Sequence, residues 1–371
     1  MRQFPDSPIT ALIDEEPLYS LGESMGPDLT VAGLLGPDGL AALAGVCLRY
    51  GTSAGDPALR ARVAARHGIP DDHVLITAGA ASALFLAGLL CGGDGEVLVG
   101  RPCYPPVLAA LQGTGANVVT ARSRFEDGYR VDLGAFGDKL SARTRLVMFA
   151  SPQNPSGVAL TEAEVEQMLA AMSRSCPGAL LLIDETFREA VYGAAPPAAS
   201  FAGRSPRLLT CASLSKAYGA PGLRIGWLTT SDPGLYEQLR RARFNSSLSC
   251  GALDEFLAAR LLSRADEVLA GRGVFMAQAR GIVERWVAGH AGRLRWVPPD
   301  AGAMCCVQLD PDVFGPRDID RFHADLASQR TQVAPGPWFG EDARVFRLGF
   351  AYEPAGRLEK GLDVISGALA P

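Results

Sequence analysis

Between about residue 74 and residue 230 the chain repeats one arrangement, a short, wholly apolar run followed by a stretch of helical spacing. The runs are "VLIT", "EVLVG", "NVVTA", "RLVMFA", "ALLLID", "RLLTCAS" and "RIGWLTT"; "AASALFLAGLLC" and "PPVLAALQGTG" are among the helical stretches between them. A strand that is apolar along its whole length has no face to offer to water, so both its faces must be covered. Sheets covered on both faces are mostly parallel and are linked by helical crossovers. The expected fold is therefore α/β, with a three-layer large domain around a mostly parallel sheet. Beyond residue 250 the texture changes. Long helical stretches such as "ALDEFLAARLLSRADEVLAG" lead into "LRWVP", "AMCCVQL" and "RVFRLGF", which suggest a smaller α+β domain. No internal repeat and no low-complexity tail interrupts this order.

Open parallel sheets bind ligands beyond the carboxyl ends of their strands, and five such ends carry distinctive residues. In "LITAGAASAL" a strand passes through Gly79 into a helix, whose free amides and dipole favour a phosphate. "RPCYPPV" places Tyr104 just past a strand, where an aromatic ring can stack on a flat ligand. "FASPQNPSG" holds Asn154 in a rigid turn before Pro155. "ALLLIDETF" ends a very apolar strand on Asp184, a carboxylate that is expensive to bury without a partner. "ASLSKAYGAPGLRIGW" carries Ser213, Ser215, Lys216 and Arg224. Each has a plain structural reading too: a packing turn, a loop cap, an Asn-Pro turn, a turn-capping carboxylate and a solvated lysine.

Basic-residue usage separates the readings at Lys216. Of the 35 lysines and arginines only Lys139, Lys216 and Lys360 are lysines. A chain that meets its surface needs with arginine, yet sets a lysine among serines and glycines, points to chemistry a guanidinium cannot perform, such as condensation with an aldehyde. Taken in order, the five ends supply a phosphate cradle, a stacking face, a hydrogen-bonding amide, a carboxylate for a ring nitrogen and an amine for an aldehyde. That inventory describes a pyridoxal 5'-phosphate site.

From about residue 20 to its end the chain resembles the fold-type I pyridoxal-phosphate enzymes, the class I/II aminotransferases related to aspartate aminotransferase. "SLSKAYGAPGLRIGW" is the most specific piece; "NPSG", "IDETF", "YGTSAGDPALRARVAARHG", "PGPWFG" and "VFRLGFA" support it. The resemblance implies that Lys216 is the Schiff-base lysine and proton shuttle and that Asp184 keeps the pyridine nitrogen protonated. It implies that Asn154 bonds the ring hydroxyl and that Tyr104 stacks on the ring. Ala80, Ala81, Ser213 and Arg224 would hold the phosphate, with Tyr50 reaching in from a neighbouring subunit. Arg347 would clamp the α-carboxylate of the substrate, with Gly22 and Asn154 beside it. It also implies a homodimer with shared sites, an amino acid and a keto acid as substrates, and three regions. These are an N-terminal segment (1–45) joining the small domain, a cofactor-binding domain (46–265) and a C-terminal small domain (266–371).

Three stretches depart from the family pattern. Phe187 stands where relatives have tyrosine three residues after the strand-end aspartate, so no phenol there can bond the ring oxygen; Tyr192 is a nearby phenol, for which core packing is the plainer reading. "LGESMGPDLTVAGLL" replaces the more usual "G-E-P-D-F", and Trp338 stands where a small residue is common. The last two lie near the expected substrate entrance. They keep open a second reading, a pyridoxal-phosphate lyase, cyclase or oxidase of an amino acid. A non-catalytic regulator built on the same domain would carry a basic DNA-binding module ahead of it, and the chain begins almost directly with the enzyme-like part.

The rest of the composition excludes more than it assigns. A net charge of -5 gives no footprint for nucleic acid or for an anionic membrane surface. The longest apolar stretch is too short and too glycine-rich to span a bilayer, and the N-terminal residues lack a signal core. The eight cysteines form no C-x-x-C pair and the four histidines show no metal-ligand spacing, so no metal and a reduced cytoplasmic setting are expected. Cys305 and Cys306 are neighbours in a strand-like run, which predicts one thiol in the core and one at the surface.

Overall fold

The computed structural model describes residues 4–93 and 95–370. Among them the apolar runs form a seven-stranded sheet. Its order from one edge is Val74–Thr77, Gly226–Thr229, Leu208–Ser213, Leu180–Asp184, Thr144–Ala150, Glu96–Arg101 and Asn117–Arg122. Every pairing is parallel except the two made by Gly226–Thr229. Helices cover both faces, as the apolar pattern requires. On one side Gly79–Gly92, Pro105–Thr114 and Pro233–Ser247 pack over Leu75, Val97, Leu146 and Leu209. On the other, Glu162–Ser175 places Val165, Met168 and Met172 over Val147, Leu181 and Ile183. That helix starts at a capping box, in which Thr161 Oγ1 accepts from the Glu164 amide and the Glu164 carboxylate accepts from the Thr161 amide.

A second sheet of four strands is antiparallel and lies entirely in the C-terminal part, in the order Ala334–Pro335, Val345–Gly349, Met304–Leu309 and Leu294–Val297. The 25-residue helix Ala265–Gly289 leads into it from the large sheet. The N-terminal segment returns to this region: Tyr19–Ser20 pairs in parallel with Thr331–Gln332, and the amide of Gly349 donates to the Leu21 carbonyl at 2.8 Å. The helix Val31–Ala44 is bent where Gly36 takes φ 64 ahead of Pro37.

Cys305 and Cys306 correct the sequence reading. Both are fully buried, because the strand that carries them is covered on both faces. Cys305 lies in the large core, and Cys306 lies in a smaller cluster with Phe125, Tyr129 and Val158. All eight cysteines are free thiols. Among the described residues no helix is long and apolar enough to cross a membrane.

Candidate active site

The strand register gathers the singled-out residues at one edge of the large sheet. Ala150 pairs with Asp184 and Asp184 with Cys211. Ser213 pairs with Gly226, and Gly226 with Thr77. Because Gly226–Thr229 runs against its neighbours, its first residues lie beside the carboxyl ends of the others. The same edge therefore carries Gly79, Tyr104, Asn154, Asp184, Ser213, Lys216 and Arg224.

The helix start at Gly79 forms a cradle. Among the described residues no side chain caps this helix, which leaves its first amides free. Gly79 has φ 74, and a Cβ built on it would stand 2.6 Å from Arg224 Nη2. Gly226 lets strand and helix touch: a Cβ there would meet Gly79 C at 2.5 Å and Ala80 N at 2.7 Å. Arg224, itself left-handed at φ 48, is exposed, with Nη1 donating to the Pro221 carbonyl at 3.0 Å. Ser213 and Ser215 are buried, and the Ser215 amide donates to Ser213 Oγ at 3.3 Å. Free amides, a guanidinium and a hydroxyl facing one space are the donor set a phosphate takes.

Asp184 closes its strand as a carboxylate without a cation. The Thr186 amide donates to Oδ1 at 2.9 Å, and among the described residues no arginine, lysine or histidine forms an ion pair with it. Burial raises its pKa, partly offset by the bonds from Thr186. Lys216 is shifted the opposite way. Burial lowers its pKa, Glu23 opposes that shift, and Arg347 and Arg224 add to it. Glu23 Oε2 stands 3.7 Å from Lys216 Nζ. A carboxylate lacking a cation and an amine whose pKa burial lowers, at one sheet edge, suit a cationic ring nitrogen and an aldehyde.

Arg347 comes from the small sheet and is 2% exposed. Its Nη1 donates to Asn154 Oδ1 at 2.8 Å, Nη2 donates to the Gly22 carbonyl at 2.5 Å, and its guanidinium lies 4.9 Å from the centre of the Phe339 ring. Its Nε has no partner among the described residues. Burial pulls its pKa down to about 10. A guanidinium that keeps its charge there, with a donor unused, is suited to an anion. Asn154 spends its oxygen on Arg347, which leaves its amide nitrogen free for an acceptor. Gln153 beside it donates to the Pro102 carbonyl at 3.0 Å, tying this turn to the loop that presents Tyr104. Tyr104 is partly buried, and burial raises the pKa of its phenol. Trp338 and Tyr104 pack against one small cluster with Ile9, Leu12 and Phe339, so the N-terminal segment walls the entrance.

Four further placements complete the site. Gly22 is buried, and a Cβ on it would strike Leu12 at 2.5 Å. Ala80 and Ala81 lie in the first turn of the uncapped helix. Phe187 is buried and packs against Gly302, while the Tyr192 hydroxyl donates to the Gly302 carbonyl at 2.7 Å, so Tyr192 is not a spare phenol. Tyr50 is not brought to this edge by its own chain; it is 82% exposed beside exposed Leu48. Sequence reading missed Glu23. The signal was present as the acidic residue directly after Gly22, where this chain keeps the G-E of the family's G-E-P-D-F before departing from it.

Comparison with known proteins shows the family. Residues 19–365 match the family model for aminotransferase class I and II. The capreomycidine synthase of Streptomyces vinaceus is 34% identical over 354 residues, 95% of this chain and 87% of that protein. The arginine–pyruvate transaminase of Pseudomonas aeruginosa is 30% identical over 296 residues, 73% of this chain and 72% of that protein. Among solved structures, the PLP-dependent cyclase OrfR superposes with a TM-score of 0.83 at 25% identity, covering 100% of this chain and 98% of that one.

Proposed function

The chain belongs to the class I and II aminotransferase family, whose cofactor is pyridoxal 5'-phosphate, and from that premise we propose that Lys216 holds the cofactor covalently while the enzyme moves the amino group of an α-amino acid to a keto acid. The observation that carries this reading is the meeting of a carboxylate without a cation and an amine of lowered pKa, both at one edge of the large sheet, with a buried arginine of the small sheet that has an unused donor. When bound, the cofactor supplies an electrophilic carbon for amines and a ring that takes up an electron pair.

The protein's own groups do the rest. Asp184 would keep a proton on the ring nitrogen. The free amides of Ala80 and Ala81, Ser213 Oγ and the Arg224 guanidinium would hold the phosphate. Tyr104 would cover one face of the ring, and the Asn154 amide nitrogen would bond the ring oxygen. Arg347 would take the substrate α-carboxylate, with Gly22 and Asn154 fixing the guanidinium, and so set which Cα bond stands across the ring. Lys216, once displaced by the substrate amine, would carry the Cα proton as a neutral base.

Tyr50 would complete the phosphate site of a second copy. Its exposure and that of Leu40, Leu48, Phe244 and Leu248 suit a homodimer, and the free thiols suit a reducing compartment. Borohydride treatment of the purified protein followed by peptide mass spectrometry tests the anchor. A pyridoxyl adduct at Lys216, absent in Lys216→Ala, is expected, and an adduct elsewhere or none overturns the assignment.

A second reading has its own support. Two of the relatives above are named a synthase and a cyclase, so the same residues could break another bond at the substrate without an acceptor. Keto acid formed only when an acceptor keto acid is supplied favours transamination. Ammonia release or a cyclised product without an acceptor favours the second reading.

A further inference from the structure

The stretch "LGESMGPDL" crosses the site and is fixed there by its backbone. The Gly22 carbonyl accepts from Arg347 Nη2. The Glu23 carbonyl fills the space where a side chain on Gly349 would stand. The Pro27 carbonyl accepts from Arg272 Nη1 at 2.7 Å, and the Leu29 amide donates to the Gly219 carbonyl at 2.9 Å. These contacts hold the Glu23 side chain over Lys216, with 19% of it and 25% of the Lys216 side chain exposed. Asp28 lies farther along, exposed, and Tyr352 faces both carboxylates.

Two other cations lie in the field of these carboxylates, Arg347 in that of Glu23 and Arg272 in that of Asp28, but among the described residues neither comes within ion-pair distance of them. Lys216 is the sole ion-pair partner of Glu23 among the described residues. Arg272 donates to the carbonyls of Ala217, Lys216 and Pro27. Arg347 is held by Asn154 and Gly22, and its unused Nε awaits an anion. On the reading above, Lys216 would be a neutral amine when the substrate is seated and Arg347 would be taken by the α-carboxylate. Glu23 is then left facing the substrate without a partner, and a substrate seated over it removes its water. A carboxylate so placed needs a positive group. A neutral side chain does not supply one, and an acidic side chain is repelled.

We propose that Glu23, seconded by Asp28, is the specificity-determining carboxylate of this enzyme and selects α-amino acids with a cationic side chain, a guanidinium or an ammonium. The inference rests on the proposed aminotransferase reading and assigns its substrate class. Arg347 and Glu23 then read the two ends of one substrate, the α-carboxylate and the side-chain cation.

The test compares charged and neutral isosteres on the cofactor-loaded enzyme. Arginine against citrulline and lysine against norleucine are compared by kcat/KM for keto acid formation. The α-methyl derivatives of arginine and citrulline, which have no Cα hydrogen to lose, are compared by calorimetric dissociation constants. The wild type is expected to prefer the cation at least about tenfold in both measures. Glu23→Gln is expected to bring the ratio to within about threefold, Glu23→Asp to restore part of it, and Asp28→Asn to reduce it less. A wild-type ratio near one overturns the proposal, as does an unchanged ratio in a folded Glu23→Gln protein, which would leave Glu23 serving Lys216 or the α-amine alone. The calorimetric ratio needs no turnover. It judges Glu23 even if no amino acid of any class yields a keto acid, the result that would instead refute aminotransfer.

Discussion

Gly226 is where the proposed phosphate cradle can be broken without touching a group that would bond the phosphate. A methyl at this position would stand 2.5 Å from Gly79 C and 2.7 Å from both Ala212 O and Ala80 N. Ordinary carbon contacts begin near 3.4 Å, so Gly226→Ala is short of room by about 0.9 Å against Gly79. All three atoms are backbone, one in the neighbouring strand and two at the helix start, so no side chain can swing aside. Overpacking of this kind costs about 1–3 kcal/mol. The cheapest relief moves the start of Gly79–Gly92 outward by most of an ångström, because the strand beside it is held by pairing on both sides.

That shift carries the Ala80 and Ala81 amides away from the phosphate. A hydrogen bond to a charged group contributes about 1.5–3 kcal/mol, so losing one weakens cofactor binding by about ten- to a hundredfold. Apo-protein titrated with pyridoxal 5'-phosphate, followed by absorbance, gives the dissociation constant, and a thermal melt of the apo-protein reports the strain separately. Gly222→Ala is the control: it lies in the same loop, and a Cβ there meets nothing within 4 Å. If Gly226→Ala binds the cofactor as tightly as Gly222→Ala, the helix start is not the phosphate site and the reasoning fails.

Three shorter predictions follow from neighbouring observations. Arg347→Lys keeps the charge but loses the fork that reaches Asn154 and Gly22 together; kcat/KM should fall by at least about a hundredfold, and steady-state kinetics within tenfold of wild type would contradict the clamp. Phe187→Tyr restores a phenol beside the ring oxygen, where Tyr192 is already engaged by Gly302; the cofactor's visible absorbance should titrate at lower pH than in wild type, and superimposable curves would refute this. Glu255 is buried, its Oε1 has no hydrogen-bond partner among the described residues, and burial raises its pKa to about 7, so unfolding releases its proton between roughly pH 4.5 and 7 and stability is lost as pH rises through that window. Glu255→Gln should therefore raise the melting temperature at pH 8 and leave it nearly unchanged at pH 4.5, and an equal shift at both pH values would count against the titration.

The large sheet was legible because its strands are apolar on both faces, a pattern few other arrangements can bury. The direction of Gly226–Thr229 was readable in principle. A parallel return needs a full crossover, and the connection from Ser213 holds only the short turn Pro221–Leu223. Cys305 and Cys306 misled the reading because alternation assigns one face to water only when the strand has a wet face. Here Phe125 and Tyr129, far away in sequence, cover it. Asn154, Asp184 and Lys216 were legible because each follows an apolar strand, and strand ends of a parallel sheet converge by construction.

Glu23 was not legible, and the reason bears on how specificity is written into this fold. The proposed anchor, ring-nitrogen partner and phosphate donors all lie at strand ends of one sheet, so their meeting is fixed by topology and a sequence pattern can carry it. Glu23 reaches Lys216 only because residues 21–29 lie against Gly349 on one side and the loop at Gly219 on the other, two contacts between distant parts of the chain. Gly349 is what permits this. Any side chain there would displace the Glu23 carbonyl, and with it the Gly22 carbonyl that orients Arg347. One backbone crossing therefore positions both the group that would take the α-carboxylate and the group that would take the side chain. It follows that substitutions in this stretch should change substrate choice and α-carboxylate binding together, while those around Gly79 and Gly226 should change cofactor affinity alone.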